Sequence, residues 1–279
     1  MPDEAMIQSR DDPRLVAAMD ENAAAMMCAV AEGLGGETYQ GPDMTRYISG
    51  LPIPFFNGVM LAQLAPDQLD AQITQALAPF QAQNLSMIWM VGPGTQPADL
   101  GARLAAQGLT LESETPCMAI DIGALAPAQP LPGVTFVPVT TEEQAIWLAH
   151  VSAVGFGIPS EVESAFQRLM ARLSLPPDPR WANHLALLDG APVATCMTYF
   201  HSGVAGLYTI ATLPDARRRG VAGELTRYAL LNAQAHGYSI ATLQASRMGF
   251  PVYRRLGFET IATFSEYVWE APEPQRVRV

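Results

Sequence analysis

The stretch from Gly206 to Gly223 reads GLYTIATLPDARRRGVAG and holds residue types that suit the binding of an anion. An apolar, β-branched run ends at a proline, three arginines and Gly220 follow, and a helical pattern begins at Val221. A strand–turn–helix junction leaves the first N–H groups of the helix without intrahelical partners, so these groups can bind a phosphate. Gly220 and Gly223 let a ligand approach the backbone closely, and the arginines at 217–219 add positive charge. The pattern predicts a phosphate-binding loop.

A second segment, residues 246–258, reads SRMGFPVYRRLGF and follows the loop after about one helix and one strand. Residues 217–222 match the R/Q-x-x-G-x-G/A signature of the GNAT-type N-acetyltransferase superfamily. Tyr253, Gly257 and Phe258 resemble the closing Y-x-x-x-G-F segment of the same superfamily. A short glycine motif alone is weak evidence, but two motifs in the expected order are much more specific. The chain therefore resembles a GNAT protein.

This resemblance implies an α/β fold of the acyl-CoA N-acyltransferase type, with a mixed, mostly antiparallel central sheet flanked by helices. It also implies acetyl-CoA as the acetyl donor and a primary amine as the acceptor. The acidic first half favours a cationic acceptor, either a small-molecule amine or a protein N-terminus. Direct attack in a ternary complex is the expected mechanism, because no Cys or Ser lies in a nucleophile motif. The alternative from another class is a non-catalytic sensor that binds an acyl-CoA and reports it to a partner.

The resemblance also assigns cofactor contacts residue by residue. The strand before the loop would line the pantetheine arm, and the N–H groups of the loop would hold the pyrophosphate. Ser246 stands where many members have asparagine, and its hydroxyl can still bond to the cofactor or to water. The residues expected to contact the cofactor are Ala211, Thr212, Leu213, Arg218, Arg219, Gly220, Val221, Ala222, Gly223 and Ser246.

Tyr253 is the predicted general acid, by analogy with the matching tyrosine of the superfamily. A phenol with a pKa near ~10 keeps its proton at neutral pH and can transfer it to a departing thiolate. The alternative is that Tyr253 is an aromatic side chain that only packs under the sheet. The candidates for a general base are Glu161 and Glu163 on a predicted helix and His184 and His201 on or beside strands. A carboxylate on a helix is usually solvated and a histidine on a strand is usually structural, so the base stays unassigned.

The chain divides at a segment rich in Pro, Ala and Gly, residues 123–133, which reads GALAPAQPLPG and lacks periodicity. Residues 1–122 are predicted to form an N-terminal GNAT-like half, and residues 134–270 the catalytic domain. Residues 271–279 are predicted to be a tail.

The two halves resemble repeats. LAAQGL at 104–109 aligns with YRRLGF at 253–258, and the same offset aligns MAID at 118–121 with YVWE at 267–270. The first half has no arginine–glycine loop after Asp67, and Leu104 replaces the tyrosine. The preferred interpretation is a divergent, cofactor-free copy that shapes the acceptor cleft, and chance similarity between short α/β segments is the alternative.

Hydrophobic periodicity, together with Gly and Pro residues at the ends of segments, predicts the helices and strands around the motifs. In the second half they are a helix over 221–235, a strand over 240–244, a short helix over 250–256 and a closing strand over 259–269. In the first half the pattern predicts helices over 14–34 and 67–83, a turn at Asn57–Gly58, and a final strand pair within 109–122.

Composition restricts the class of protein. The formal net charge is −11, the 16 basic residues are all arginine, and the first 132 residues carry the whole acidic excess. Binding to duplex nucleic acid depends on many phosphate contacts, so nucleic acid is an unexpected partner. No apolar run approaches the ~20 residues of a membrane helix, and residues 1–30 lack a signal-peptide pattern. Three widely spaced cysteines argue against disulfides and a zinc cluster, so a cytoplasmic protein without metal is expected, with a homodimer left open.

Overall fold

The computed structural model describes residues 5–125, 127–158, 160–175 and 178–272, without the side chains of 160–162 and 174. Contacts divide these residues into two units. Unit 1 takes its described residues from 1–26 and 115–263, and unit 2 from 27–114 and 264–279. Each unit therefore contains residues from both predicted halves of the chain, and the predicted domain boundaries stay a prediction.

Seven helices and eleven strands are present in the described residues. The helices are α1 (Leu15–Gly33), α2 (Leu69–Gln83), α3 (Leu100–Ala106), α4 (Glu142–Phe156), α5 (Ser160–Ser174), α6 (Val221–Ala235) and α7 (Phe250–Leu256). The strands are β1 (Glu37–Gln40), β2 (Thr45–Ile48), β3 (Asn57–Met60), β4 (Met87–Val91), β5 (Thr110–Asp121), β6 (Val134–Pro138), β7 (Trp181–Leu188), β8 (Ala191–His201), β9 (Val204–Thr212), β10 (Ile240–Gln244) and β11 (Glu259–Trp269). None of these helices is both long and apolar enough to span a bilayer.

The sheet of unit 1 has the order β5-β10-β9-β8-β7-β6, and every neighbouring pair is antiparallel except β9 with β10. Helices α4 and α6 cover opposite faces of it. The Ser152 hydroxyl of α4 lies 3.5 Å from the Thr195 hydroxyl of β8, whereas the next residue, Cys196, belongs to the core that includes Leu225 and Ala229 of α6. Because successive strand residues point to opposite faces, the two helices lie on different sides. This is the mixed, mostly antiparallel sheet flanked by helices that the sequence predicts.

Unit 2 repeats the pattern with the order β1-β2-β3-β4-β11. Strands β3 and β4 are parallel, and the other neighbouring pairs are antiparallel. Ile73 and Phe80 of α2 pack with Trp89 of β4 in its core, and all three are fully buried. The order of a parallel strand pair around a helix, then a short helix and a long closing strand, occurs in both halves of the chain.

The closing strands are exchanged between the halves. β5, which ends the first half, pairs with β10 of the second half, and residues 265–269 of β11 pair with β4 of the first half. Both pairings are antiparallel. Each sheet therefore needs a strand from the other half of the sequence.

Three details of the first half differ from the expectations. Residues 109–122 contain the single strand β5 and not a strand pair. Asn57–Gly58 is not a turn but the start of β3, because the Asn57 amide nitrogen donates to the carbonyl oxygens of Leu51 (2.8 Å) and Ser86 (3.3 Å). The β1–β2 hairpin was not predicted. In the second half, α6, β10, α7 and β11 have the predicted bounds.

Candidate functional site

Strands β9 and β10 separate after two paired positions. Residues 205–206 pair with residues 241–242, but β9 continues to Thr212 and β10 to Gln244. From Leu207 onward, no described strand pairs with the edge of β9 that faces β10. An unpaired strand edge offers N–H and C=O groups to a ligand that carries amide groups, such as the pantetheine arm of a coenzyme A.

A β-bulge interrupts β9 just beyond this separation. The β8–β9 register shifts between Thr195 and Met197, so that two residues, Thr209 and Ile210, lie opposite one residue of β8. Thr209 has a φ of 50°, which is unusual for a β-branched residue, and the Thr195 hydroxyl donates to its carbonyl oxygen at 2.8 Å. Bulges take backbone groups out of the ladder and often lie beside active sites. The sequence carries no local signal that predicts this bulge.

The predicted phosphate-binding loop has the geometry of an anion site. Gly220 is the N-cap of α6 with a φ of 82°, and Arg218 also has a positive φ, of 62°. The Glu224 N–H group donates to the Gly220 carbonyl oxygen at 3.2 Å, so the N–H groups of residues 221–223 have no acceptor within the helix. Residues 218–220 are exposed. Left-handed residues next to a free helix N-terminus form a concave set of N–H donors that suits a pyrophosphate.

Arg217 holds the loop in place rather than offering its charge to a ligand. Its Nε donates to the Thr212 carbonyl oxygen at 2.9 Å, and its Nη2 to the Gly155 carbonyl oxygen of α4 at 3.3 Å. A Cβ atom on Gly155 would lie 2.7 Å from the Cβ of Ala211, so α4 packs directly on β9 at this point. The first arginine of the motif therefore joins the loop, β9 and α4.

Of the three residues predicted to contact the pantetheine arm, Thr212 and Leu213 each have a backbone group that is hydrogen-bonded within the protein. The Thr212 carbonyl oxygen accepts from Arg217, and the Leu213 N–H group donates to the Val193 carbonyl oxygen at 2.9 Å. The Ala211 side chain is buried. The edge of β9 that faces β10 has no described strand partner from Leu207 onward, and the contacts of Ala211, Thr212 and Leu213 with the pantetheine arm stay a prediction.

Tyr253 of α7 is 7 % exposed. Burial raises the pKa of its phenol well above the ordinary value, and Cys196 adds a smaller effect in the same direction. Its ring packs edge-to-face on Phe258 with the centroids 5.9 Å apart, and a Cβ atom on Gly249 would lie 2.7 Å from the ring. The phenol is thus fully protonated at neutral pH, as a general acid requires, and the ring also belongs to the core.

Ser246 takes part in the turn that begins α7. Its hydroxyl accepts a hydrogen bond from the Gly249 N–H group at 3.1 Å, and its carbonyl oxygen accepts one from Phe250. The side chain is exposed. The hydroxyl therefore shapes the loop in front of Tyr253, and its contact with the cofactor stays a prediction.

The structure does not single out any of the four predicted candidates as the general base. His184 is 1 % exposed, and burial lowers its pKa to about 4. His201 Nδ1 lies 2.8 Å from the Ser202 hydroxyl, and Glu163 accepts from the amide of Gln167 at 3.0 Å. The side chain of Glu161 lies outside the described residues. Across the described part of the chain, no group of three or more His, Cys, Asp or Glu side chains is arranged to hold a metal ion.

Comparison with known proteins gives one match to a family model. Residues 201–261, which include the loop and Tyr253, match the acetyltransferase (GNAT) domain. A search of curated protein sequences found no significant match.

Solved structures share the fold over nearly the whole chain. A GCN5-related N-acetyltransferase from Kribbella flavida is 22% identical, with 88% of this chain and 95% of that chain covered and a TM-score of 0.67. Another from Sphaerobacter thermophilus is 18% identical, with coverages of 90% and 92% and a TM-score of 0.61. A tandem GNAT protein from the clavulanic acid biosynthesis pathway is 15% identical, with coverages of 96% and 98% and a TM-score of 0.58. The segment with the loop and Tyr253 therefore matches the GNAT acetyltransferase domain model, and the chain has the fold of GNAT proteins, including that of a tandem member.

Proposed function

We propose that this protein is an acetyl-CoA-dependent N-acetyltransferase that moves an acetyl group to a primary amine by direct attack in a ternary complex. The observation that carries the proposal is the continuity of the site along the chain. The free edge of β9 begins at Leu207, the strand ends at Thr212, and the chain then leads to the free N–H groups of residues 221–223 at the start of α6. One extended ligand with amide groups and a pyrophosphate matches both parts.

The residues present fit acetyl-CoA. The N–H groups of residues 221–223 and the left-handed backbone at Arg218 and Gly220 would hold the pyrophosphate, and the exposed arginines 218 and 219 add charge. The edge of β9 would pair with the pantetheine amides. These contacts would bring the thioester towards the start of the separation, near the bulge at Thr209.

Three chemical tasks then remain. The bulge releases backbone groups from the β8–β9 ladder, and a freed N–H group would polarise the thioester carbonyl. The neutral amine nitrogen attacks the carbonyl carbon, and the bond from carbon to sulfur breaks. The Tyr253 phenol gives its proton to the thiolate and regains one from the attacking amine through solvent. Because no protein base is assigned, water takes the proton from the incoming ammonium.

Calorimetric titration with acetyl-CoA tests the proposal. Gly220→Glu places a carboxylate where the pyrophosphate would bind, and we expect it to abolish binding. Gly237→Glu is the matched control, because Gly237 has a φ of 89°, is exposed, and lies past the other end of α6. Equal binding by both variants would contradict the site. Binding of acetyl-CoA without release of the CoA thiol in the presence of any primary amine tested would favour the non-catalytic sensor instead.

A further inference from the structure

Asn22 of α1 is a fully buried polar residue that belongs to unit 1. Its amide nitrogen lies within hydrogen-bond distance of the carbonyl oxygens of Tyr199 (3.1 Å), His201 (3.0 Å) and Val204 (3.2 Å), which share its two N–H donors. These carbonyls belong to the end of β8 and the start of β9. The one amide therefore ties together both strands of the β8–β9 hairpin, from a position nearly 180 residues earlier in the sequence.

The other end of the same amide is also occupied. The Tyr208 hydroxyl donates to Asn22 Oδ1 at 2.7 Å. Burial raises the pKa of Tyr208 above its ordinary value, so the phenol keeps the proton that it donates. A side-chain amide presents two donors and an acceptor on one planar group, which matches these two sets of partners, and asparagine is the shorter of the two amide side chains.

The Asn22–Tyr208 pair lies over the point where β9 leaves β10. Gly206, the last β9 residue paired with β10, has no room for a side chain, because a Cβ atom would overlap Asn22 Oδ1 and lie 2.6 Å from the Tyr208 ring. The strained bulge residue Thr209 comes directly after Tyr208. The pair thus fixes the β9 backbone between its last paired residue and the bulge.

From this placement we infer that Asn22 is a positioning residue for acetyl transfer, acting through Tyr208 on the part of β9 that faces the thioester. The inference rests on the function proposed above. The opposite end of the same β9 edge is held independently, by Arg217 at Thr212. Binding of the nucleotide end of acetyl-CoA and orientation of its acetyl end are therefore separable, and Asn22 controls the second.

Two variants test this assignment. Asn22→Asp keeps the shape of the side chain but turns the donor towards three carbonyl oxygens into an acceptor. Tyr208→Phe removes only the hydroxyl that contacts Asn22 Oδ1. Tyr47→Phe is the control, since Tyr47 is a fully buried tyrosine of unit 2 whose hydroxyl has no hydrogen-bond partner among the described residues.

The readout is the carbonyl band of bound [1-¹³C]acetyl-CoA in isotope-edited infrared spectra, measured with calorimetric affinity. We expect the wild-type protein and Tyr47→Phe to shift the band to lower frequency, as a polarised thioester requires. Asn22→Asp and Tyr208→Phe should lose most of this shift while the Kd for acetyl-CoA stays within about threefold. A role in stability alone would lower the unfolding midpoint and leave the band of the bound ligand unchanged.

The outcomes separate this inference from the proposed function. No binding of acetyl-CoA by the wild-type protein would overturn the proposed function. Binding with an equal carbonyl shift in all four proteins, or with no shift in the wild-type protein, would overturn the role of Asn22 alone. If Asn22→Asp does not fold, Tyr208→Phe decides between these outcomes, because it deletes one oxygen and leaves the side-chain volume nearly unchanged.

Discussion

His184 of β7 makes the stability of unit 1 depend on pH. The side chain is 1 % exposed, and burial lowers its pKa from 6.5 to about 4, with a smaller contribution from His236. Its ring lies edge-on to Tyr228, with the centroids 5.3 Å apart. The perturbation we consider is His184→Gln, which keeps a polar side chain at this position and removes the titration.

The sign and size follow from linkage between protonation and folding. Because the folded-state pKa is the lower one, the unfolded chain binds the proton first as the pH falls, and stability decreases between pH 6.5 and pH 4. The full difference of about 2.5 pKa units corresponds to about 3 kcal/mol. Integration between about pH 7.5 and about pH 5.0 gives a loss of about 2 kcal/mol from this residue.

Urea unfolding followed by circular dichroism at these two pH values measures the effect. The wild-type protein should lose about 2 kcal/mol more than His184→Gln on acidification, while both share the contribution of the carboxylates. His150→Gln, at an exposed position of α4, is the control and should behave like the wild-type protein. The same pH dependence in His184→Gln and the wild-type protein would refute the reasoning.

Three further variants test the site itself. Tyr253→Phe should lower kcat by about 10²-fold or more with an unchanged Kd for acetyl-CoA, and a full rate would rule out Tyr253 as the acid. Gly249→Ala should reduce both turnover and the melting temperature, because its Cβ would meet the Tyr253 ring at 2.7 Å, whereas Gly123→Ala meets no atom within 4 Å and should change neither. Arg217→Met should weaken acetyl-CoA binding although its guanidinium contacts only the protein, and unchanged affinity would show that the loop needs no anchor.

The elements around the loop could be predicted because their ends are encoded locally. Gly220 and Gly257 adopt the left-handed backbone at the start of α6 and the end of α7, and these glycines stand at the predicted bounds. The turn predicted at Asn57–Gly58 was wrong because the pair is typical of turns, whereas the Asn57 amide bonds to two other segments, residues 49–51 and Ser86. A tertiary contact outweighed the local preference there.

The same difference between local signals and tertiary contacts explains which residues of the candidate site could be predicted. The loop and Tyr253 lie in short contiguous motifs, so their residue types alone pointed to them. The bulge at Thr209 depends on the register between two strands, and Asn22 acts on residues nearly 180 positions later, so neither leaves a local pattern. One signal was available: a glycine inside an apolar strand, as at Gly206, often marks the close approach of another group.

The exchange of segments between the two halves has a consequence for synthesis of the chain. Unit 1 needs residues from the first 26 as well as residues up to 263, and unit 2 is completed only by the strand residues 265–269. The sheet of unit 1 is complete only after β10 is made, and that of unit 2 only after β11, and both strands pair with partners more than 100 residues earlier in the sequence, which slows folding. Until β11 arrives, the nascent chain exposes the open edge of β4, a surface that promotes aggregation. Because each sheet takes a strand from the other half of the sequence, neither half is expected to fold on its own.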